Sequence, residues 1–246
     1  YGNTLSGVFD LRMRNGNDEQ FECIGQVGLT GIELGLEGPL FFSERSSFLL
    51  NYRYSTIQLL DAMGLSPMGT AIPNYQDVSF KVNVPTKHAG NFSLFAIGGN
   101  SNMSFIESDR DTTEERQQMA YESDYEMDIH NDNYNGVIGL KHSYIFNSSA
   151  YSIFILSASG VRNYNLWDSL STEDRTPVLQ YYADYKRTKY SAKFNFNKKF
   201  NSKNTIRTGI SIEQTDFTII DSIYDGSIET HRVLRDFDGI DQLMNG

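Results

Sequence analysis

Tyr190-Ser191-Ala192-Lys193-Phe194-Asn195-Phe196-Asn197 places an apolar residue at every second position and a polar one between. Successive side chains of a strand point to opposite faces, so this stretch reads as a strand with one dry face and one wet face. It sits inside a longer run, Pro177–Phe200, and is followed by Asn204–Ile220; these runs of about 17–24 residues far exceed the roughly 5–6 residues usual for strands of compact domains. The same parity recurs upstream. Phe21, Cys23, Val27 and Leu29 share a face of Glu19–Leu29, and Ile32, Leu34 and Leu36 share one of Gly31–Gly38. Phe48, Leu50, Tyr52 and Tyr54 do so in Ser47–Ser55, and Val78, Phe80, Val82 and Val84 in Tyr75–Val84. Ile138, Leu140, Tyr144 and Phe146 continue the pattern in Asn133–Phe146, and Ile206, Ile210 and Ile212 in Asn204–Ile220. With Asn91–Ser101 and Ala150–Asn163 added, the expectation is about nine antiparallel strands. Alternation alone leaves open whether the dry face meets a protein core or lipid.

The connections favour lipid. Tight turns at Pro85–Gly90, Asn147–Ser149 and Phe200–Asn204, with a slightly longer one at Gly38–Ser46, alternate with polar connections at Thr56–Asn74, Asn102–Asp132 and Asn165–Arg175. A further long connection is expected to open near Asp221. Long loops gathered at one end and short turns at the other are the habit of outer-membrane β-barrels. Charge follows the same division: Asn102–Asp132 is densely acidic, with Arg110 and Arg116 as its cations, whereas the short turns carry Arg45, Lys87, Lys198, Lys199 and Lys203.

Composition agrees and excludes several classes. The 246 residues include 15 Tyr, 16 Phe, one Trp and five Pro, a balance suited to pleated strands. Lys and Arg number 21 against 31 Asp and Glu, a net charge of −10 without a basic patch, so no nucleic-acid partner is expected. Cys23 is the single cysteine, which excludes an internal disulfide and reads as a small hydrophobe on the dry face. No run approaches the roughly 18 apolar residues of a membrane-spanning helix, a fact without bearing on strands that cross a bilayer. The opening residues carry no methionine, charged n-region or apolar h-region, and Gly246 lies in a polar stretch; the expectation is a piece of a longer, exported protein.

The opening segment Gly2-Asn3-Thr4-Leu5-Ser6-Gly7-Val8-Phe9-Asp10-Leu11-Arg12-Met13-Arg14-Asn15-Gly16 resembles the end of the plug domain of TonB-dependent outer-membrane receptors. Glu37-Gly38-Pro39-Leu40, Asn51-Tyr52-Arg53-Tyr54-Ser55 and Tyr75-Gln76-Asp77-Val78-Ser79-Phe80-Lys81 extend the likeness to receptors of the Bacteroidetes type, which often carry a carboxypeptidase-regulatory-like N-terminal domain. The resemblance implies residues 1–18 as the end of a plug and 19–246 as the first part of a transmembrane β-barrel of about 22 strands in the bacterial outer membrane. It implies energised uptake of a scarce solute (glycan, peptide, siderophore or vitamin) without covalent chemistry or cofactor. The implied partners are TonB–ExbB–ExbD, reached through an N-terminal part this chain lacks, outer-membrane lipid, and in some receptors a surface lipoprotein. Two rival readings stand beside it: a self-contained small outer-membrane barrel acting as adhesin or enzyme, and a soluble β-rich binding module.

Candidate site residues follow. Glu33 and Glu37 share a strand face roughly 13 Å apart, too far for a retaining glycosidase pair. They read as lumen- or plug-facing charges paired with Arg53 or Arg12, while Arg12, Arg14 and Arg53 read as plug–wall contacts or lumen lining. Trp167 and Tyr164 are placed just above the membrane edge as an aromatic belt, with ligand stacking as the other role. Asp124, Asp128 and Asp132 offer clustered oxygens for calcium but lack the order of an EF-hand loop, so a solvated acidic loop is the plainer reading and no metal is expected. Thr56–Asn74 is unusually apolar, and a short helix starting near Ser55 or Thr56 fits it. His88, His130, His142 and His231 are scattered, with none beside a Ser or Cys in a catalytic pattern.

Overall fold

The computed structural model describes residues 11–29, 31–41, 43–57, 71–108, 127–171 and 175–245. They form one open antiparallel sheet in which ten strands follow in chain order, each hydrogen-bonded to the next. The strands are β1 (Glu22–Gly28), β2 (Gly31–Pro39), β3 (Ser47–Ser55), β4 (Ala71–Pro85) and β5 (Asn91–Phe105), then β6 (Met127–Asn147), β7 (Ala150–Leu170), β8 (Pro177–Lys199), β9 (Thr205–Asp225) and β10 (Thr230–Asn245). Lengths rise from 7 residues in β1 to 23 in β8. Among the described residues β1 and β10 have one neighbour each.

Several expectations need correction. The described residues form ten strands rather than about nine, and the connection expected near Asp221 is strand: β9 continues to Asp225, turns, and returns as β10. Most of Asn165–Arg175 is also strand, since β7 reaches Leu170. Asn102–Phe105 and Met127–Asp132 belong to β5 and β6, which shortens the acidic connection from both sides. The missed stretches share one cause. Sequences such as Asp128-Ile129-His130-Asn131-Asp132 have no dry face, and the ladders to β5 and β7 make them strand. β10 hides its period as well: a bulge between Val233 and Arg235 shifts its parity, and nearly every residue is exposed. The expected helix after Ser55 falls mainly on 58–70, outside the described residues.

The sheet is a single layer. Only Ile57, Ala150, Leu170 and Ala183 are buried hydrophobic residues among those described. Because register partners in an antiparallel sheet share a face, two surfaces can be traced strand by strand. One carries the row Leu50–Phe80–Ala96–Ile138–Ala158–Tyr190, and beside it Phe48–Val82–Leu94–Leu140–Leu156–Ala192–Ile212. We call this the apolar face. The other carries Glu37–Leu49–Lys81 and, farther along, Ser93–Lys141–Ile155–Lys193–Ser211. This polar face is interrupted at β7, where Ile153 and Ile155 make the strand apolar on both sides.

The apolar face has edges. Beside the turns, Phe92, His142, Tyr144, Phe146 and Phe196 form a chain of ring contacts with centroids 4.5, 6.4, 4.9 and 6.0 Å apart. At the other end it stops at the consecutive glycines Gly98, Gly136 and Gly160. Beyond them the same face carries Asn100, Tyr134, Arg162 and Lys186 in one row. On β8, Lys186 and Lys198 bracket the band; by strand rise they stand roughly 40 Å apart, or about 30 Å when projected at a tilt near 40°.

Candidate functional site

The polar face holds the start of the described chain against it. The Arg14 guanidinium forms a fork with Glu37, Nη1 donating to Oε2 at 2.5 Å and Nη2 to Oε1 at 2.5 Å. The Asn17 backbone N–H donates to the same Oε2 at 2.8 Å. Lys81 Nζ donates to the Met13 carbonyl oxygen at 2.7 Å. Residues 13–17 therefore cross β2–β4 along the row Glu37–Leu49–Lys81. The crossing is close enough that a Cβ on Gly16 would lie 1.9 Å from the Phe48 carbonyl oxygen, so glycine is required there. A two-bond Arg–carboxylate fork fixes direction as well as charge, and Glu37 is 5% exposed.

The expected partner of Glu37 is thereby corrected. Glu37 is held by Arg14, and Glu33 accepts from Asn51 Nδ2 at 2.7 Å. Arg53 stands in register with both Glu33 on β2 and Asp77 on β4. It gives its hydrogen bond to Asp77 (Nε to Oδ2, 2.9 Å) and lies over the Tyr75 ring at 5.1 Å. All three expected residues do share the polar face.

Trp167 and Tyr164 lie on opposite faces of β7. Trp167 packs beside Tyr181 at 4.9 Å on the polar face, and Tyr164 meets Tyr182 edge-on at 5.6 Å on the apolar one. Of the calcium candidates, Asp124 lies outside the described residues. Asp128 accepts the backbone N–H groups of Glu107 and Ser108 at 2.7 and 2.9 Å, closing the end of β5. Asp132 accepts from Asn102 Nδ2. No group of three metal-ligating side chains occurs among the described residues. One contact departs from the expectation about histidines: Ser104 Oγ lies 3.2 Å from His130 Nδ1. Both residues sit in the β5–β6 ladder, in direct register.

A second cluster lies on the polar face beyond the level of the glycine row, on the stretches of β8–β10 that overshoot the apolar band. Asp221 is fully buried. Its Oδ2 accepts from Tyr185 Oη at 2.8 Å and from Arg235 Nε at 2.8 Å, while Oδ1 has no hydrogen-bond partner. Arg235 also donates from Nη2 to Tyr185 Oη at 3.0 Å and lies over that ring at 5.5 Å. The bulge in β10 sets Arg235 directly opposite Asp221. Arg235 holds the Asp221 carboxyl below its ordinary range, and burial pushes the Tyr185 phenol up. Beside them opens a groove of about 450 Å³ lined by Asn163, Tyr185, Arg187, Phe217, Ile219 and Arg235. Aromatic walls with guanidinium groups suit the capture of a ring-bearing or anionic solute. This cluster was hidden in the sequence because Asp221 and Tyr185 come from different strands and the region read as loop.

The chain matches no protein-family model, no curated protein and no solved structure.

Proposed function

We propose that the chain forms part of the wall of a transmembrane β-barrel in a bacterial outer membrane, in a TonB-dependent receptor that takes up a scarce solute. The observation that carries this reading is the band of exposed apolar side chains on one face. It crosses the strands, ends in aromatic rings on one side and a glycine row on the other, and stands about as tall as a bilayer's hydrocarbon layer. An exposed apolar patch of this extent needs a cover. Leu34, Val78, Ile138, Leu140, Leu156, Phe194 and Ile212 are each 41–52% exposed, and no second layer lies over them among the described residues.

The opposite face supports the receptor reading over other barrels. Residues 13–17 lie on it, fixed by Glu37 and Lys81, as the last segment of a plug would be against its wall. The groove beside Tyr185 and Arg235 then faces the lumen, near the end of the sheet from which the longer connections leave. In this role external loops and lumen-facing side chains bind solute, and TonB-driven movement of the plug opens the path; the chain's residues position and release, with no bond made or broken.

Fractionating cells and immunoblotting with an antibody against Arg110–His130 tests the reading. A band several-fold heavier than 27.9 kDa in the outer membrane is expected. A band near 27.9 kDa in that fraction would favour a self-contained ten-stranded barrel instead. A band released without detergent would overturn the membrane assignment.

A further inference from the structure

Just beyond the glycine row the apolar face opens into a groove of about 670 Å³, lined on that face by Gln76, Asn100, Tyr134, Gly160, Arg162, Lys186 and Thr188. The space exists because side chains are missing beneath it: a Cβ on Gly160 would meet nothing within 4 Å. Among the described residues, Arg162 and Lys186 are the charged ones lining it, and they stand in direct register on β7 and β8. Like charges placed opposite each other repel, so something must hold them there. Asp184 does so, with its side chain 4% exposed. Its Oδ1 accepts from Arg162 Nε at 2.8 Å, and its Oδ2 accepts from Arg162 Nη2 at 3.0 Å and from Lys186 Nζ at 2.9 Å. One buried carboxylate thus fixes two cations that remain 42% and 47% exposed, leaving a surplus positive charge aimed at the groove. The other carboxylates nearby on this face, Asp132 and Asp216, lie outside the lining and accept hydrogen bonds from Asn102 and Gln214.

We propose that this groove binds the anionic phosphate headgroup of a membrane lipid, with Arg162 and Lys186 on the phosphate and the acyl chains laid on the apolar band below. The inference rests on the reading of that face as lipid-facing. Charge complementarity identifies the occupant: a cationic pair at the edge of an apolar band meets a ligand that is anionic at one end and hydrocarbon at the other. Arg162 supplies a planar fork and Lys186 a point charge, and both recognise phosphate oxygens. Tyr134, beside Arg162 in the same row, supplies a flat wall with a hydroxyl at the interface.

Native mass spectrometry of the intact protein, extracted from membranes into a nonionic maltoside micelle with phosphatidylglycerol or phosphatidylcholine of the same acyl chains, tests it. The expected result is preferential retention of phosphatidylglycerol, reduced roughly fivefold by each of Arg162→Gln and Lys186→Gln. Gly160→Val, which adds a branched side chain where a Cβ meets nothing within 4 Å and keeps both charges, is expected to abolish the preference. Equal retention of both lipids by a properly inserted chain would overturn the headgroup site and leave the membrane reading standing. Displacement of phosphatidylglycerol by inorganic phosphate alone would overturn it in favour of a free-anion site. A chain that enters neither micelles nor phosphatidylcholine vesicles would overturn the membrane reading and this inference with it.

Discussion

Two halves of the same strands behave differently on one face. Toward the short turns, β8 presents Phe194, Ala192 and Tyr190; beyond the glycine row it presents Lys186 and Asp184. β7 changes from Phe154, Leu156 and Ala158 to Arg162, and β6 from Leu140 and Ile138 to Asp132 and His130. The change falls at the same level on neighbouring strands, which separate turns and loops cannot coordinate by local preference. On the proposed reading, the plane where hydrocarbon gives way to water accounts for it. On β8 and β9 the polar face shows a weaker change in the opposite direction: Ser191 and Glu213 in the turn-side half give way to Tyr181 and Ile223 in the far half.

The comparison can be broken most directly by placing a charge in each half. Leu156→Arg, in the middle of the band, is expected to cost about 2–4 kcal/mol in a bilayer, whereas Asn100→Arg, above the glycine row, costs about 0–1 kcal/mol. Urea titration of vesicle-inserted protein measures both; equal losses would mean that the two halves share one solvent.

Glycines sharpen it next. A Cβ on Gly139 would lie 2.4 Å from Phe95 Cζ and 3.1 Å from the Leu156 carbonyl oxygen, so Gly139→Ala must displace the ring that covers it. Overpacking of this kind costs about 1–3 kcal/mol. Gly160→Ala meets nothing within 4 Å and is expected to leave the urea midpoint unchanged. A reversed order would show that the far groove is filled by protein.

On the polar face, Glu37→Gln removes the charge that both Arg14 and the Asn17 N–H hold. Faster trypsin cleavage after Arg14, with the strands still protected, is the expected outcome; unchanged cleavage would mean that other contacts hold the segment.

The smallest effect is a pH dependence at Asp221, in the part of β9 beyond the band. Arg235 lowers its folded-state pKa, so the pair's contribution is complete above the unfolded carboxyl value of about 3.9 and is lost as pH falls through the lower folded value. Asp221→Asn is therefore expected to lower the urea midpoint at pH 7 and to match the wild type in strong acid. A difference that persists in acid would assign the effect to packing rather than charge.

How much could be read in advance depended on which half carried the signal. Ser47–Ser55 is recovered as β3 residue for residue, and Pro177–Phe200 differs from β8 by one residue. In these strands the dry face writes a period of two into the chain. β10 and the far ends of β6 and β7 wrote no such pattern, because residues polar or exposed on both sides carry no period. Glu33, Glu37 and Arg53 were placed on one face by parity alone, but their partners were not. Arg53 had a carboxylate on each neighbouring strand, and which one it bonds is a matter of register and rotamer.

The sequence by itself determined the all-antiparallel class, the positions of the tight turns and the existence of one dry face, since alternation and turn chemistry are local. Only the tertiary structure decided that Arg14 seizes Glu37, that Arg235 meets Asp221 across a bulge, and that Asp184 yokes Arg162 to Lys186. Each of these pairings depends on strand register or on how a distant segment docks, and a register shift of one residue would turn its charges to the opposite face.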